Sequence, residues 1–358
     1  MNERSPRILI VRTDRIGDVV LTLPMARVLR ARFPGAHIAM LIRRYTRELV
    51  EDCREVDHIH YYDEGGKLVP LTKLASLLRA SQFDIVFHTY PRFRLSLITW
   101  FARIPVRVGT GYRWYSFLFN KKVYDHRKTA EYHELEYNLR LLDATGYGRT
   151  GLKEPIDVTP SLPVSDEAWN VAAKILRAKG INPVKRATDR IVILHPGSGG
   201  SARDWSPEHF GQLAQRLSAD TGIHVVITGG SGERALAEQV QRLGGDMVTS
   251  VIGELSLREF AALTSMAAVF VSNSTGPIHI AAAVGTPVVG LYPQITGLSA
   301  RRWGPYTNDK TILSPIGKPS DCTVCEQQNA GSCACMETIT VDTVYNTIVD
   351  RLAQFARQ

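Results

Sequence analysis

Short apolar runs alternate along this chain with longer stretches in which apolar residues recur every three or four positions. The runs predict strands at 7–12, 37–42, 58–62, 84–88 and 105–109, and the longer stretches predict helices at 19–33, 45–53, 70–81, 94–103 and 131–145. Pro24 lies in the first turns of the first helix and predicts a kink. Residues 150–165 hold Pro155, Pro160 and Pro163 with few helix formers, and read as a connector. A helix at 166–179 follows, stopped by Gly180. The alternation then restarts, with strands at 190–194, 223–228, 247–251, 268–272 and 287–292. Its helices are expected at 207–218, 231–243, 256–265, 277–285 and 340–356. Ser206 before Pro207 marks one helix start, and Ser256 with Glu259 forms a capping box at another.

Strand–helix alternation of this kind predicts parallel sheets covered by helices on both faces. The 358 residues suit two domains, expected at 1–175 and 186–338, with 339–358 as a closing helix. The fold class expected is therefore α/β, with two Rossmann-like doubly wound domains facing each other across a cleft. With 44% hydrophobic and 22% charged residues the composition is that of a globular protein. No apolar run approaches the ~18 residues of a transmembrane helix. The first residues lack a basic region followed by an apolar core, so a cytoplasmic location is expected. The net charge is +8, and 29 of the 43 Lys and Arg lie in residues 1–180. That half is expected to meet an anionic partner, the plainer alternative being a solvated basic surface.

Three polar segments stand where strands give way to helices. The first is Arg12-Thr13-Asp14-Arg15-Ile16-Gly17-Asp18, after the run Ile8–Val11. The second is His195-Pro196-Gly197-Ser198-Gly199-Gly200, with Arg203-Asp204-Trp205-Ser206 beyond it. The third is Asn273-Ser274-Thr275-Gly276-Pro277-Ile278-His279, between the runs Ala268–Val271 and Pro287–Tyr292. The third segment offers hydroxyls and free N–H groups at a helix start, which suits the phosphates of a nucleotide. A carboxylate where the first strand gives way to a helix can act as a general base, and Asp18 is the candidate. The alternatives are that Asp18 is only an N-cap, or that Asp14 is the carboxylate that counts.

In this order and spacing the three segments resemble the lipopolysaccharide heptosyltransferases of glycosyltransferase family 9. The resemblance spans the chain from Ile8 to its cysteine-bearing tail. It implies the two-domain GT-B arrangement, in which the last helix returns to the first domain. It also implies an inverting transfer of heptose from ADP-heptose to the lipopolysaccharide inner core or a related surface glycan. Asp18 would be the base and Arg203, where the family often has Lys, would steady the diphosphate. Donor contacts would come from Gly197, Ser198, Gly199, Thr228, Gly229, Ser274, Thr275, Gly276 and His279. Ser274 stands where many relatives carry Asp, which leaves the donor sugar open. Arg12, Arg92, Arg94 and Arg113 would meet an anionic glycolipid acceptor, with peripheral contact to the inner membrane and no role for nucleic acid. Neither a cofactor nor a catalytic metal is implied.

Each assignment has a plainer alternative: a surface arginine at Arg203, sharp turns at the glycines, a packed histidine at His279. Residues 92–128 carry nine Lys and Arg against the single acid Asp125, interleaved with Trp100, Tyr112, Trp114, Tyr115, Phe117 and Phe119. Such a surface can bind nucleic acid, anionic lipid or a phosphorylated sugar, unless the aromatics are core. Cys322, Cys325, Cys333 and Cys335 have a spacing that can ligate zinc, though reduced loop thiols suit a cytoplasmic chain. Two other functions share the architecture, a sugar-nucleotide epimerase and a non-catalytic glycan-binding protein. No Gly-x-Gly-x-x-Gly follows the first strand, which argues against an NAD-dependent dehydrogenase.

Overall fold

The computed structural model describes residues 5–150, 152, 154–183, 190–200, 202–316, 331–332 and 334–355. They divide into two units, residues 1–127 with 132–160 and residues 128–131 with 161–358.

Each unit is built on a six-stranded parallel sheet. The first has β1 (Arg7–Val11), β2 (His37–Ile42), β3 (His58–Tyr61), β4 (Ile85–His88), β5 (Val106–Thr110) and β6 (Lys121–Val123), in the order β3-β2-β1-β4-β5-β6. The second has β7 (Arg190–His195), β8 (Ile223–Ile227), β9 (Thr249–Ser250), β10 (Val269–Asn273), β11 (Val288–Leu291) and β12 (Lys310–Leu313), in the order β9-β8-β7-β10-β11-β12. Both orders are those of a doubly wound sheet, which reverses direction beside its first strand. Ile8 pairs with Ile38 on one side and Ile85 on the other, and Ile8 to Val11 are wholly buried. That is why this strand reads as an unbroken apolar run and not as an alternation.

Most expected elements appear within a residue or two, and the differences have local causes. The helix expected at 19–33 is two helices, Ile16–Val20 and Leu23–Arg32. Pro24 offers no N–H and its ring crowds the carbonyl four residues back, so the first helix stops instead of kinking. Thr22 fills the gap by donating to the Asp18 carbonyl at 2.7 Å. Residues Arg44–Leu49 form a 3-10 helix where an α-helix was expected. The edge strands β6 and β12 were not anticipated, since Lys121, Lys122 and Lys310 break the apolar pattern there. Charged edge strands of this kind resist pairing with another chain. Ser206 and Ser256 cap their helices as expected, and Glu259 completes the box by accepting from Ser256 N at 2.7 Å.

Two helices lie in a different unit from the one expected. Helix Asp166–Ala178 belongs to the second unit, not to a domain ending at 175, and Leu162 N just before it donates to the Ala283 carbonyl at 3.0 Å. The closing helix Val341–Phe355 also packs in the second unit, where the resemblance implied a return to the first. Val344, Ile348 and Leu352 join the core formed by Val192, Phe210 and Val271, and Trp205 ties the approach by donating to the Ile339 carbonyl at 2.7 Å. Of the four tail cysteines only Cys335 is among the described residues, so the zinc and thiol readings fall outside them. Among the described residues no helix is long and apolar enough to cross a membrane.

Candidate functional site

Sites in doubly wound sheets gather at the carboxyl ends of strands, at the point where strand order reverses. In the first unit that point lies between β1 and β4. Arg12, the residue after β1, is 1% exposed. Its guanidinium donates to Asp14 at 2.7 Å, to Glu134 at 3.2 Å, to Asn138 at 3.4 Å and to Asp18. Arg127 also donates to Glu134. Arg12 is therefore not placed to meet an acceptor anion, which corrects that expectation: each of its three nitrogens is used by a protein group. The N-cap alternative for Asp18 also fails, since Arg15 occupies that position and Asp18 is the third helical residue.

Three carboxylates here face two guanidiniums. Burial works against the Arg12 cation, yet Asp14, Asp18 and Glu134 hold its pKa above the usual range. Burial pushes the Asp14 carboxyl up to about 7, with Arg12 opposing and Asp18 adding repulsion. Tyr45, donating to the Asp14 carbonyl at 2.6 Å, has its phenol pushed up to about 12 by burial and by Asp14. Of the other arginines assigned to the acceptor, Arg94 is directed inward, donating to the Val69 carbonyl and lying 5.0 Å from the Tyr62 ring centre. That corrects its assignment, whereas Arg92 and Arg113 are exposed.

The second unit reverses between β7 and β10. His195 ends β7 and contacts the Thr228 hydroxyl at 2.9 Å, with its other ring nitrogen 3.9 Å from Glu233. Burial holds the imidazole down at about 4, so it is neutral near pH 7. The Glu233 carboxylate accepts from Gly199 N at 3.2 Å and Gly230 N at 2.8 Å, clipping two glycine turns together. A Cβ on Gly197 would stand 2.0 Å from that carboxylate, so any larger residue there would displace the Glu233 side chain. Ser198 donates to Asp204 at 2.9 Å, and burial first of all pushes the Asp204 carboxyl up to about 6.

Arg203 is 7% exposed and its backbone pairs with Gly331, which removes the surface-arginine alternative. Asn273 locks the switch point by accepting from Trp205 N at 2.9 Å and donating to the Pro196 carbonyl at 2.8 Å. Thr275 is the N-cap of helix Gly276–Ala283, but its hydroxyl does not cap the helix. The buried Tyr292 phenol donates to the Trp303 carbonyl at 2.9 Å, with Ser274 near it, and His279 is buried. Glycine turns, a buried cation and a helix N-terminus at one switch point form a setting suited to a diphosphate.

The sequence model of Glycosyltransferase family 9 (heptosyltransferase) matches residues 71–331, more than half of the chain. The chain belongs to this family. The heptosyltransferase-family chain is 27% identical over 298 residues to lipopolysaccharide heptosyltransferase 2 of Escherichia coli K12, covering 80% of this chain and 82% of the relative. Its fold matches a family 9 glycosyltransferase of Veillonella parvula with a TM-score of 0.81, at 20% identity over 99% of both chains. It also matches Escherichia coli heptosyltransferase WaaC solved with ADP-2-deoxy-2-fluoro heptose, at a TM-score of 0.68 and 18% identity, over 96% of this chain and 99% of that one. The protein is thus a glycosyltransferase with the GT-B type of fold.

Sequence reasoning missed Glu134, Asn138, Glu233 and Asn273 as organisers of these two clusters. Glu134 and Asn138 carried a signal: they are four apart and so share a helix face, and both are buried in a helix otherwise packed through Leu135, Leu139 and Leu142. Asn273 carried none, because its partners lie on distant loops. Glu233 had a local capping contact with Gly230, three residues before it, but nothing local pointed to Gly199.

Proposed function

We propose that this transferase moves a heptose from ADP-heptose to a hydroxyl of the lipopolysaccharide inner core or a related surface glycan, with inversion at the anomeric carbon. The observation that carries the reading is the Asp18 carboxylate held by Arg12 at the first switch point. Asp18 takes the proton of the acceptor hydroxyl. The acceptor oxygen forms its bond to the anomeric carbon from the face opposite the diphosphate. The bond from that carbon to the phosphate oxygen breaks, and ADP leaves with the electron pair. Arg203 and the N-terminus of helix Gly276–Ala283 hold the leaving negative charge. Gly197, Ser198, Gly199, Thr228, Gly229, Ser274 and His279 line the donor end. Arg92 and Arg113 receive the anionic part of a membrane glycolipid, so the protein works at the inner face of the membrane. Support comes from family membership, from the similarity to lipopolysaccharide heptosyltransferases, and from the two switch-point clusters.

The test pairs the purified protein with a panel of nucleotide sugars and deacylated core oligosaccharides of defined heptose content. Acceptor-dependent release of ADP from ADP-heptose, with a product one heptose heavier, is expected. Turnover of the donor without acceptor to an epimerised sugar nucleotide overturns the reading in favour of an epimerase. Transfer from a different nucleotide sugar alone replaces the donor.

A further inference from the structure

The turn after β5 has two apolar sides, and only one of them is covered. Backbone bonds from Ser116 N to Arg113 O, Leu118 N to Tyr115 O and Phe119 N to Ser116 O coil this segment in 3-10 fashion. Residues three apart then lie on one side. Tyr115, Leu118 and Phe119 face inward and form a small core with Leu97. Trp114 and Phe117, three apart, are 73% and 69% exposed. Phe93, at the start of helix Phe93–Phe101, is exposed beside them with its ring centre 4.7 Å from that of Trp114. Exposed aromatics concentrated in this way mark a contact surface more than a solvated one.

Charge surrounds the patch on its own chain. Arg92 precedes Phe93 and Arg113 precedes Trp114, and both are exposed. Lys121 and Lys122 are exposed on the neighbouring strand β6. Asp125, the one acid between residues 92 and 128, is neutralised by a two-pronged pair with Arg140, both contacts 2.8 Å. The patch is also joined to the first switch point. The Tyr90 ring lies 6.0 Å from the Arg12 guanidinium carbon and 4.5 Å from that of Arg92, and Tyr115 donates to the Pro91 carbonyl at 2.8 Å. The exposed aromatics therefore stand at the end of the sheet that carries Asp18.

We propose that Trp114, Phe117 and Phe93 insert into the interfacial layer of an anionic lipid bilayer, with Arg92, Arg113, Lys121 and Lys122 against its headgroups. Aromatic side chains favour the headgroup level of a bilayer, and basic residues add attraction to anionic lipid. The proposal rests on the reading of a membrane glycolipid acceptor. It gives that reading a geometry: the bilayer presents the acceptor hydroxyl to the end of the sheet where Asp18 waits.

The test is co-sedimentation of the full chain with phosphatidylcholine vesicles, with and without phosphatidylglycerol, in the absence of any acceptor. Wild type should partition to the anionic vesicles and be released as salt rises. The double variant Trp114→Ser with Phe117→Ser should lose at least about tenfold in partitioning, because interfacial binding scales with buried apolar area. Its melting temperature and its rate on a deacylated, water-soluble acceptor should match wild type. Equal partitioning of wild type and variant overturns the proposal, as does a failure of wild type to bind anionic vesicles. Saturable binding to a single-stranded oligonucleotide that excludes vesicles also overturns it. Failure of the acceptor reading appears separately, as no transfer to the soluble acceptor by wild type.

Discussion

Arg12 donates a hydrogen bond to Asp18 across the end of the first strand, inside a network that also holds Asp14 and Glu134. Counting Arg127, three carboxylates meet two guanidiniums there.

Asp18→Asn keeps the shape of the side chain and removes the base. Turnover should fall by about 10²–10⁴-fold, the usual contribution of a general base, with ADP affinity nearly kept. Asp14→Asn should cost much less. A variant of Asp14 as crippled as that of Asp18, with Asp18→Asn near wild type in steady-state assays, would move the base to Asp14.

Arg12→Met should destabilise more than it inactivates. Removing one partner of a buried ion pair typically costs about 3–5 kcal/mol, since the remaining charges are stranded. Here three carboxylates would be left with Arg127. Arg12→Lys should recover part of that loss but not the forked geometry. Denaturant titration of both variants measures it, and unchanged midpoints would refute the role given to the network.

Arg203→Ala should weaken ADP binding by roughly 1.5–3 kcal/mol, the worth of a charge-assisted hydrogen bond. Calorimetry with ADP is the direct measurement. Affinity within twofold of wild type would return Arg203 to a packing role.

His195 and Asp14 should contribute opposed slopes to stability against pH, beside those of Asp204, His60 and His88. His195 falls from its usual 6.5 to about 4, so the unfolded chain binds its proton first. Its contribution is present above pH 6.5 and is lost as pH falls through 4. Asp14 rises from 3.8 to about 7, so its contribution is present below 3.8 and is lost as pH rises through 7. Each slope is about 1.4 kcal/mol per pH unit at most, and the two partly cancel between 4 and 6.5. Relative to wild type, His195→Gln should gain less stability, or lose more, as pH rises from 4 to 6.5. Relative to wild type, Asp14→Asn should lose more stability as pH drops from 6.5 to 4. Parallel unfolding curves for both variants across this range would contradict the assigned environments.

Much of the fold was legible because its signals are local. The buried central strands β1, β7 and β10 are apolar runs by necessity, and Ser206 and Ser256 announce their helices by cap chemistry. The edge strands β6 and β12 were not legible, since an edge strand needs no apolar run and here carries lysines. Pro24 was seen, but it ends one helix and opens the next instead of kinking a single helix, and Thr22 between them reaches the Asp18 carbonyl.

The order of motifs along the chain by itself determined the family and the βα alternation, and with them the polar segments that lie at strand ends. It could do so because strand runs, caps and glycine turns are encoded within a few residues of each other. Only the tertiary structure decided that Arg12 is consumed by Asp14, Asp18 and Glu134, and that Glu233 and Asn273 tie distant loops. It alone decided that the closing helix belongs to the second unit, and that Trp114 and Phe117 face outward while Tyr115 and Phe119 face in. Those facts rest on which distant side chains share a buried volume and on which side of a turn has a neighbour, and neither is written in local spacing.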